Sequence, residues 1–143
     1  MKLIDQRALP ATFRILEART VEDVARAIED MAVRGAPAIG AAAAYGLSLA
    51  ESKGLDLKAA SARLRKTRPT GQNLFVAIDY VLSEVDDGLT AREAAEAFVT
   101  EEIDRCLAIG RHGKRLIKDG MSILTHCNAG ALATVDHGTV NAP

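Results

Sequence analysis

The 143-residue sequence contains no Trp, only two Cys and four Pro, and so few Phe and Tyr that aromatics make up 3% of it. Without large rings the core must be filled by aliphatic side chains and alanine. Small residues of that kind let helices approach closely, whereas a β-sandwich core draws on aromatic and β-branched residues, so helix-on-helix packing is favoured. The two cysteines show neither a CxxC pair nor a His spacing suited to metal, which argues against a disulfide framework or a zinc site and for free thiols in a reducing compartment. An excess of either charge is also missing: 18 Lys and Arg face 19 Asp and Glu, for a net charge of −1. That balance leaves no electrostatic footprint for nucleic acid or an anionic membrane. The first residues reach Lys2, Asp5 and Arg7 too soon for a signal peptide, and the Ala-rich run after Pro37 is too short and weakly apolar to span a membrane. No Walker loop, GxGxxG, HExxH or Ser-His-Asp order is present, so nucleotide binding and zinc hydrolysis have no footing. What remains is a cytoplasmic protein, 48% hydrophobic and 26% charged, whose expected partner is a small neutral-to-anionic ligand.

The apolar pattern divides the chain. Stretches around Leu3-Ile4 and Phe13 to Leu16, separated by Leu9-Pro10-Ala11, predict a small β-hairpin. Thr20 with Asp23 opens a helix whose stripe Val21, Val24, Ala25, Ile28, Met31, Ala32 predicts an end near Arg34-Gly35. Pro37, favoured at the first helical position, opens a second helix through Ala41–Ala44 to about Ser52, stopped by Gly54. Its alanines and glycines leave little volume on any face, which predicts a central helix. Asp56 caps a third helix reaching about Lys66, and a fourth runs from near Gln72 to Glu84. Thr90 with Glu93 forms a capping box for a long helix whose stripe continues from Ala95 through Cys106 to Ile117. Asp119-Gly120 marks a new start: Met121–Thr125 reads as a strand, followed by a tight turn and a helix after Gly130. The expected architecture is therefore mainly α with a small N-terminal hairpin over 1–118, then the first βα unit of a truncated Rossmann-like α/β domain over 119–143. A parallel sheet buries both faces and needs more strands than 119–143 supplies.

Three segments bear on chemistry. In Arg34-Gly35-Ala36-Pro37, Ala36 carries no oxygen to cap the helix that Pro37 begins, so free N–H groups, helix dipole and a neighbouring arginine are set to bind an anion. The plainer reading is a loop between helices with a solvated arginine. In Thr67-Arg68-Pro69-Thr70, Pro69 holds Arg68 extended, so its guanidinium can point into a cleft; the plainer reading groups it with Arg63, Arg65 and Lys66 on a solvated face. Cys127, at the expected strand-to-helix turn beside His126, reads either as a reactive thiol favoured by helix-terminal N–H groups or as a buried thiol at a strand end. Cys106 lies on an apolar stripe and reads as a core residue.

Taken together, Ile4-Asp5-Gln6 through Leu9-Pro10, Val33 to Gly40, Thr67 to Thr70 with Asn73-Leu74, and Ile123 to Gly130 through Ala133-Thr134 resemble the methylthioribose-1-phosphate isomerases over essentially the whole chain. The resemblance implies conversion of 5-methylthioribose 1-phosphate to 5-methylthioribulose 1-phosphate in methionine salvage, without a metal or other cofactor. It implies that Arg34, Gly35 and Ala36 bind the substrate phosphate, that Arg68 is a second substrate contact, and that Cys127 is the catalytic thiol. It also implies a homodimer, and a C-terminal Rossmann-like domain supplying a catalytic aspartate that this chain lacks. The isolated chain is therefore expected to be inactive, with the remainder arriving, if at all, as a separate chain. Ribose-1,5-bisphosphate isomerase and the non-catalytic regulatory subunits of the initiation-factor exchange complex are the two related alternatives. Cys127 followed by Asn-Ala-Gly distinguishes the isomerases from the regulatory subunits.

Overall fold

A computed structural model describes residues 1–143. The chain opens with the antiparallel pair β1 (Lys2–Ile4) and β2 (Ile15–Glu17), in register Leu3 to Leu16. Five helices follow: α1 (Val21–Glu29), α2 (Ala36–Ser52), α3 (Leu57–Arg65), α4 (Gln72–Asp86) and α5 (Ala91–Gly113). The last regular element is a single 3-10 turn at Ala131–Ala133. The expected helical body with its hairpin is thus present.

Local chemistry sets these boundaries. Thr20 and Thr90 each accept from the backbone N–H three residues on, while Asp23 and Glu93 reach back to the cap N–H, closing capping boxes on α1 and α5. Asp56 accepts from the N–H groups of Lys58 and Ala59 to start α3. Helix α1 stops at Glu29, short of the expected end near Gly35, because Met31 takes a left-handed φ of 60°. Ala32 and Val33 nevertheless stay buried, which is why the apolar spacing ran on past the helix. Helix α5 likewise stops at Gly113, before Ile117.

Helix α2 lies at the centre, packed on α1, α3, α4 and α5. Its small residues permit this. A Cβ at Gly46 would stand 3.1 Å from Leu64 of α3 and 3.4 Å from Val24 of α1, and one at Gly40 would stand 2.9 Å from the Asn73 carbonyl oxygen of α4. One core of 26 buried residues runs from Ala18 to Val99, filled by Ile28, Leu47, Leu64, Leu74, Ile78 and Val81. As the scarcity of rings requires, it is aliphatic.

The expected βα unit is not formed. Residues 121–125 pair with no strand, and Met121 to Asn128 are exposed throughout, Leu124 to 86%. The physical reason is that a strand is held by its neighbour's N–H and C=O groups, and the only strands, β1 and β2, pair with each other and not with this segment. In place of the helix after Gly130 stands the 3-10 turn, so Cys127 does not sit at a helix N-terminus. No helix is long and apolar enough to cross a membrane.

Candidate functional site

The start of α2 is uncapped, as its sequence predicts. Gly35 precedes the helix with φ 100° and offers no side-chain acceptor. Ile39 is the first residue to donate to a backbone carbonyl, that of Gly35; the N–H groups of Ala36 and Ala38 find no partner within the chain, and Pro37 has none to offer. Arg34 and Ala36 are exposed at this end. Gly35 is required for a second reason. A Cβ there would lie 2.3 Å from the Ala133 backbone, so the 3-10 turn packs directly against the helix start.

The Gly40–Asn73 contact brings the beginning of α4 beside that of α2. Helix α4 is also uncapped, preceded by Gly71. Just ahead of it lies Arg68, outside any helix as Pro69 requires and half-buried. The arginines around it are spoken for. Arg63 bridges Glu22 and Glu29 of α1, and Arg65 pairs with Asp79. Arg34 and Arg68 have no carboxylate partner. The structure thus separates Arg68 from the ion-paired arginines before it, and brings together two uncapped helix starts, one preceded in the chain by Arg34 and the other by Arg68.

The hairpin braces this end with two buried polar residues that the sequence places in a resembling stretch but to which it assigns no role. Asp5, fully buried, is gripped by Arg7 through two hydrogen bonds of 2.8 and 2.9 Å and is also paired with Arg14. These guanidinium groups hold its carboxyl well below the usual carboxylate range. Gln6 donates its backbone N–H to Ala32, and its side-chain Nε2 donates to Leu132 at 2.7 Å and to Arg34 at 3.4 Å. The available signal was a pair of polar residues set immediately after an apolar strand, where an exposed turn is the default expectation.

Cys127 and His126 are exposed and make no hydrogen bond. Cys127 is tied to the α2 end only through the residues that follow it, where Leu132 and Ala133 touch Gln6 and Gly35. Cys106, in contrast, is buried on α5, and burial, then Glu102, push its thiol pKa up. No cluster of three or more His, Cys, Asp or Glu side chains is gathered anywhere in the chain.

A sequence profile of the Initiation factor 2 subunit family matches residues 32–141, which takes in the α2 start, Arg68 and Cys127. The chain belongs to this family. A family member from Methanocaldococcus jannaschii is 53% identical over 137 residues, covering 96% of this chain and 42% of its own length. The methylthioribose-1-phosphate isomerase of Thermotoga neapolitana is 45% identical, covering 97% of this chain and 44% of its own length. Two solved family structures superpose with a TM-score of 0.85. One is the delta subunit of translation initiation factor eIF-2B from A. fulgidus, 42% identical, covering 98% of this chain and 46% of that one. The other is 5-methylthioribose 1-phosphate isomerase from Pyrococcus horikoshii, 40% identical, covering 99% and 44%. The chain spans less than half the length of these relatives.

Proposed function

We propose that this chain carries the phosphate-binding part of an aldose–ketose isomerase acting on 5-methylthioribose 1-phosphate, with Arg34, Gly35, Ala36 and Arg68 holding the substrate and Cys127 serving as the catalytic thiol. The observation that supports this reading is the uncapped α2 start with its free N–H groups next to Arg34 in the chain, packed beside the uncapped α4 start that Arg68 precedes, neither arginine having a carboxylate partner. Such an arrangement offers an anion backbone donors, dipole and charge together. A phosphate on the anomeric carbon blocks spontaneous ring opening, so an enzyme must assist opening and then move hydrogen from C2 to C1. The residues here account for holding the phosphate. The thiol supplies a group able to exchange a proton, and moving hydrogen between C2 and C1 calls for a further acid or base beside it.

On this reading a boundary falls near residue 118. Residues 119–143 take strand and helix form only when further strands of a Rossmann-like domain complete the sheet, in the same chain or a separate one, with a homodimer as the full assembly and the cytoplasm as its setting. Ribose 1,5-bisphosphate is the second candidate substrate. The eIF-2B delta likeness favours one alternative, a non-catalytic regulatory role, in which neither Cys127 nor a phosphate would matter.

The test joins residues 1–143 to the part of the Thermotoga neapolitana enzyme that lies beyond the match and follows isomerisation by NMR. Arg34→Ala should raise KM, and Cys127→Ser should abolish turnover with the fold intact, because a serine hydroxyl is a far weaker acid. A chimera that turns over normally with Cys127→Ser, or binds substrate normally with Arg34→Ala, would remove the assignment of that residue.

A further inference from the structure

The segment that carries Cys127 is fastened to the helical body by one polar tie. Among the hydrogen bonds of residues 119–143, those from Thr139 to Ala129, from Ala133 to Gly130 and from Gly138 to Thr134 close within the segment. The one nitrogen-to-oxygen bond that crosses to residues 1–113 is donated by Gln6 Nε2 to the Leu132 carbonyl, at 2.7 Å. No ion pair crosses.

Gln6 is a firm place from which to hold the segment. It is 6% exposed, its backbone N–H donates to Ala32 at 3.0 Å, and the preceding Asp5 is gripped by Arg7 and Arg14. Its Oε1 has no partner, so the amide is oriented by what Nε2 donates to: Leu132 first, then the Arg34 carbonyl at 3.4 Å. Turned over, it would set an acceptor against two carbonyl oxygens. The two carbonyls depend on it unequally. Val33 donates to Ala27 and Gly35 accepts from Ile39, so the turn into α2 is fixed on both sides of Arg34 without Gln6. Leu132 has no other hydrogen bond to the body.

From Ala129 onward the segment is closed by its own hydrogen bonds, with Ala129 buried, and Cys127 stands two residues ahead of it. Two residues span at most about 7 Å, so the place where this unit docks sets where the thiol can reach. A carbonyl has two lone pairs, so Leu132 can keep its bond to Gln6 when the residues after Gly130 continue as a helix and claim the other. We propose that Gln6 is a positioning residue: through Nε2 it fixes the Cys127-bearing segment against the Arg34 turn, and so sets the thiol relative to a phosphate held at the α2 start. This inference rests on the isomerase reading above and adds what aligns its two halves.

The test uses the chimera described above and the full wild-type chain. Gln6→Met keeps the volume and removes the donor, while Gln6→Glu keeps the shape and turns an acceptor toward both carbonyls. With kcat referred to the folded fraction measured by circular dichroism, Gln6→Met should lower kcat by about tenfold or more, because a misplaced reacting group costs rate steeply. It should raise KM by less than about threefold, since the Arg34 turn keeps its other supports. Gln6→Glu should lower kcat further. A residue that only supports the fold would reduce the folded fraction and leave kcat per folded molecule and KM as they were. In the wild-type chain, which requires no variant to fold, the Gln6 side-chain amide should exchange with solvent at least about tenfold more slowly than that of the exposed Gln72. A wild-type chimera without turnover removes the isomerase reading and the inference with it. Turnover in wild type with a normal kcat in Gln6→Met, or with a rise in KM alone, leaves the isomerase reading in place and overturns the role of Gln6. A Gln6 amide that exchanges as freely as that of Gln72 overturns it too, even if neither variant folds.

Discussion

Residues 18–113 and residues 114–143 are built from similar amino acids and reach opposite results. Every one of the 26 core residues lies between Ala18 and Val99, and the later segment adds none, although it carries Leu116, Ile117, Met121, Ile123 and Leu124. Apolar content does not separate the two regions. What separates them is whether a segment can satisfy its own backbone. Each helix closes its hydrogen bonds internally and needs a neighbour only for its apolar stripe. A strand must borrow its hydrogen bonds, and residues 121–125 find no lender. The parts of the later segment that do settle are those touching glycines: Ala133 on Gly35, Ala142 on Gly110 and Pro143 on Gly113. Close approach to bare glycine backbone takes the place of large apolar side chains there.

The largest expected effect probes this contrast directly. Leu74→Ala, in the fully buried contact between α4 and α2, should lower unfolding stability by about 2–5 kcal/mol in urea denaturation, since it leaves a cavity in a packed core. Leu124→Ala should stay within about 0.5 kcal/mol, because its side chain is 86% exposed. Comparable losses at the two sites would mean that residues 121–125 pack on the body in solution. The two cysteines sharpen the same contrast at a smaller scale. Cys127 is exposed, whereas Cys106 is 3% exposed, with its thiol pKa raised by burial. Thiolate fraction and access both control alkylation, so peptide-mapped iodoacetamide labelling near neutral pH should be at least about tenfold faster at Cys127. Equal rates would show that the segment over α5, including Thr134, opens as readily as the exposed loop.

The division also decides what the sequence could reveal. The helical body was legible almost residue by residue, because Thr20-Asp23, Asp56 and Thr90-Glu93 are local signals whose physics needs nothing beyond four consecutive residues. The uncapped α2 start was legible for the same reason, from Ala36 and Pro37 alone. Residues 121–125 misled because alternation and β-branching report a strand's preference and say nothing of whether a partner strand exists. The α1 end was overrun because Ala32 and Val33 keep the helical spacing of burial after Met31 has left the helix. Gln6 was invisible as a contact, since its importance lies in Leu132 and Arg34, and no local pattern ties residue 6 to residue 132. That Arg34 and Arg68 lack carboxylate partners is likewise a three-dimensional fact. For Arg68, the neighbouring Arg63, Arg65 and Lys66 suggested a common solvated face, whereas Arg63 and Arg65 are engaged in ion pairs with Glu22, Glu29 and Asp79.

The smallest effect belongs to the ion pairs that fasten α3 to α1, and it tests whether the body is held by its core or by its surface. Arg63 sits between Glu22 and Glu29, and Arg26 adds a second contact to Glu22. The Arg63 guanidinium first, then that of Arg26, pulls the Glu22 carboxyl from its ordinary 4.5 down to about 2, and Arg63 lowers Glu29 in the same direction. A carboxyl whose folded pKa is depressed binds fewer protons than in the unfolded chain at intermediate pH. Its contribution is therefore fully present above pH 4.5 and is lost as pH falls toward about 2. Glu22→Gln should be slightly less stable than wild type near neutral pH, with the difference shrinking to nothing across that window. All these side chains face solvent, so screening keeps the effect small, and added salt should reduce it further. Urea unfolding of both proteins at neutral pH and near pH 2, each at low and high salt, gives the four stability differences needed. A difference that persists at the acid end would mean that Glu22 acts through packing, and a loss rivalling Leu74→Ala would mean that the surface network, and not the aliphatic core around α2, holds the helices together.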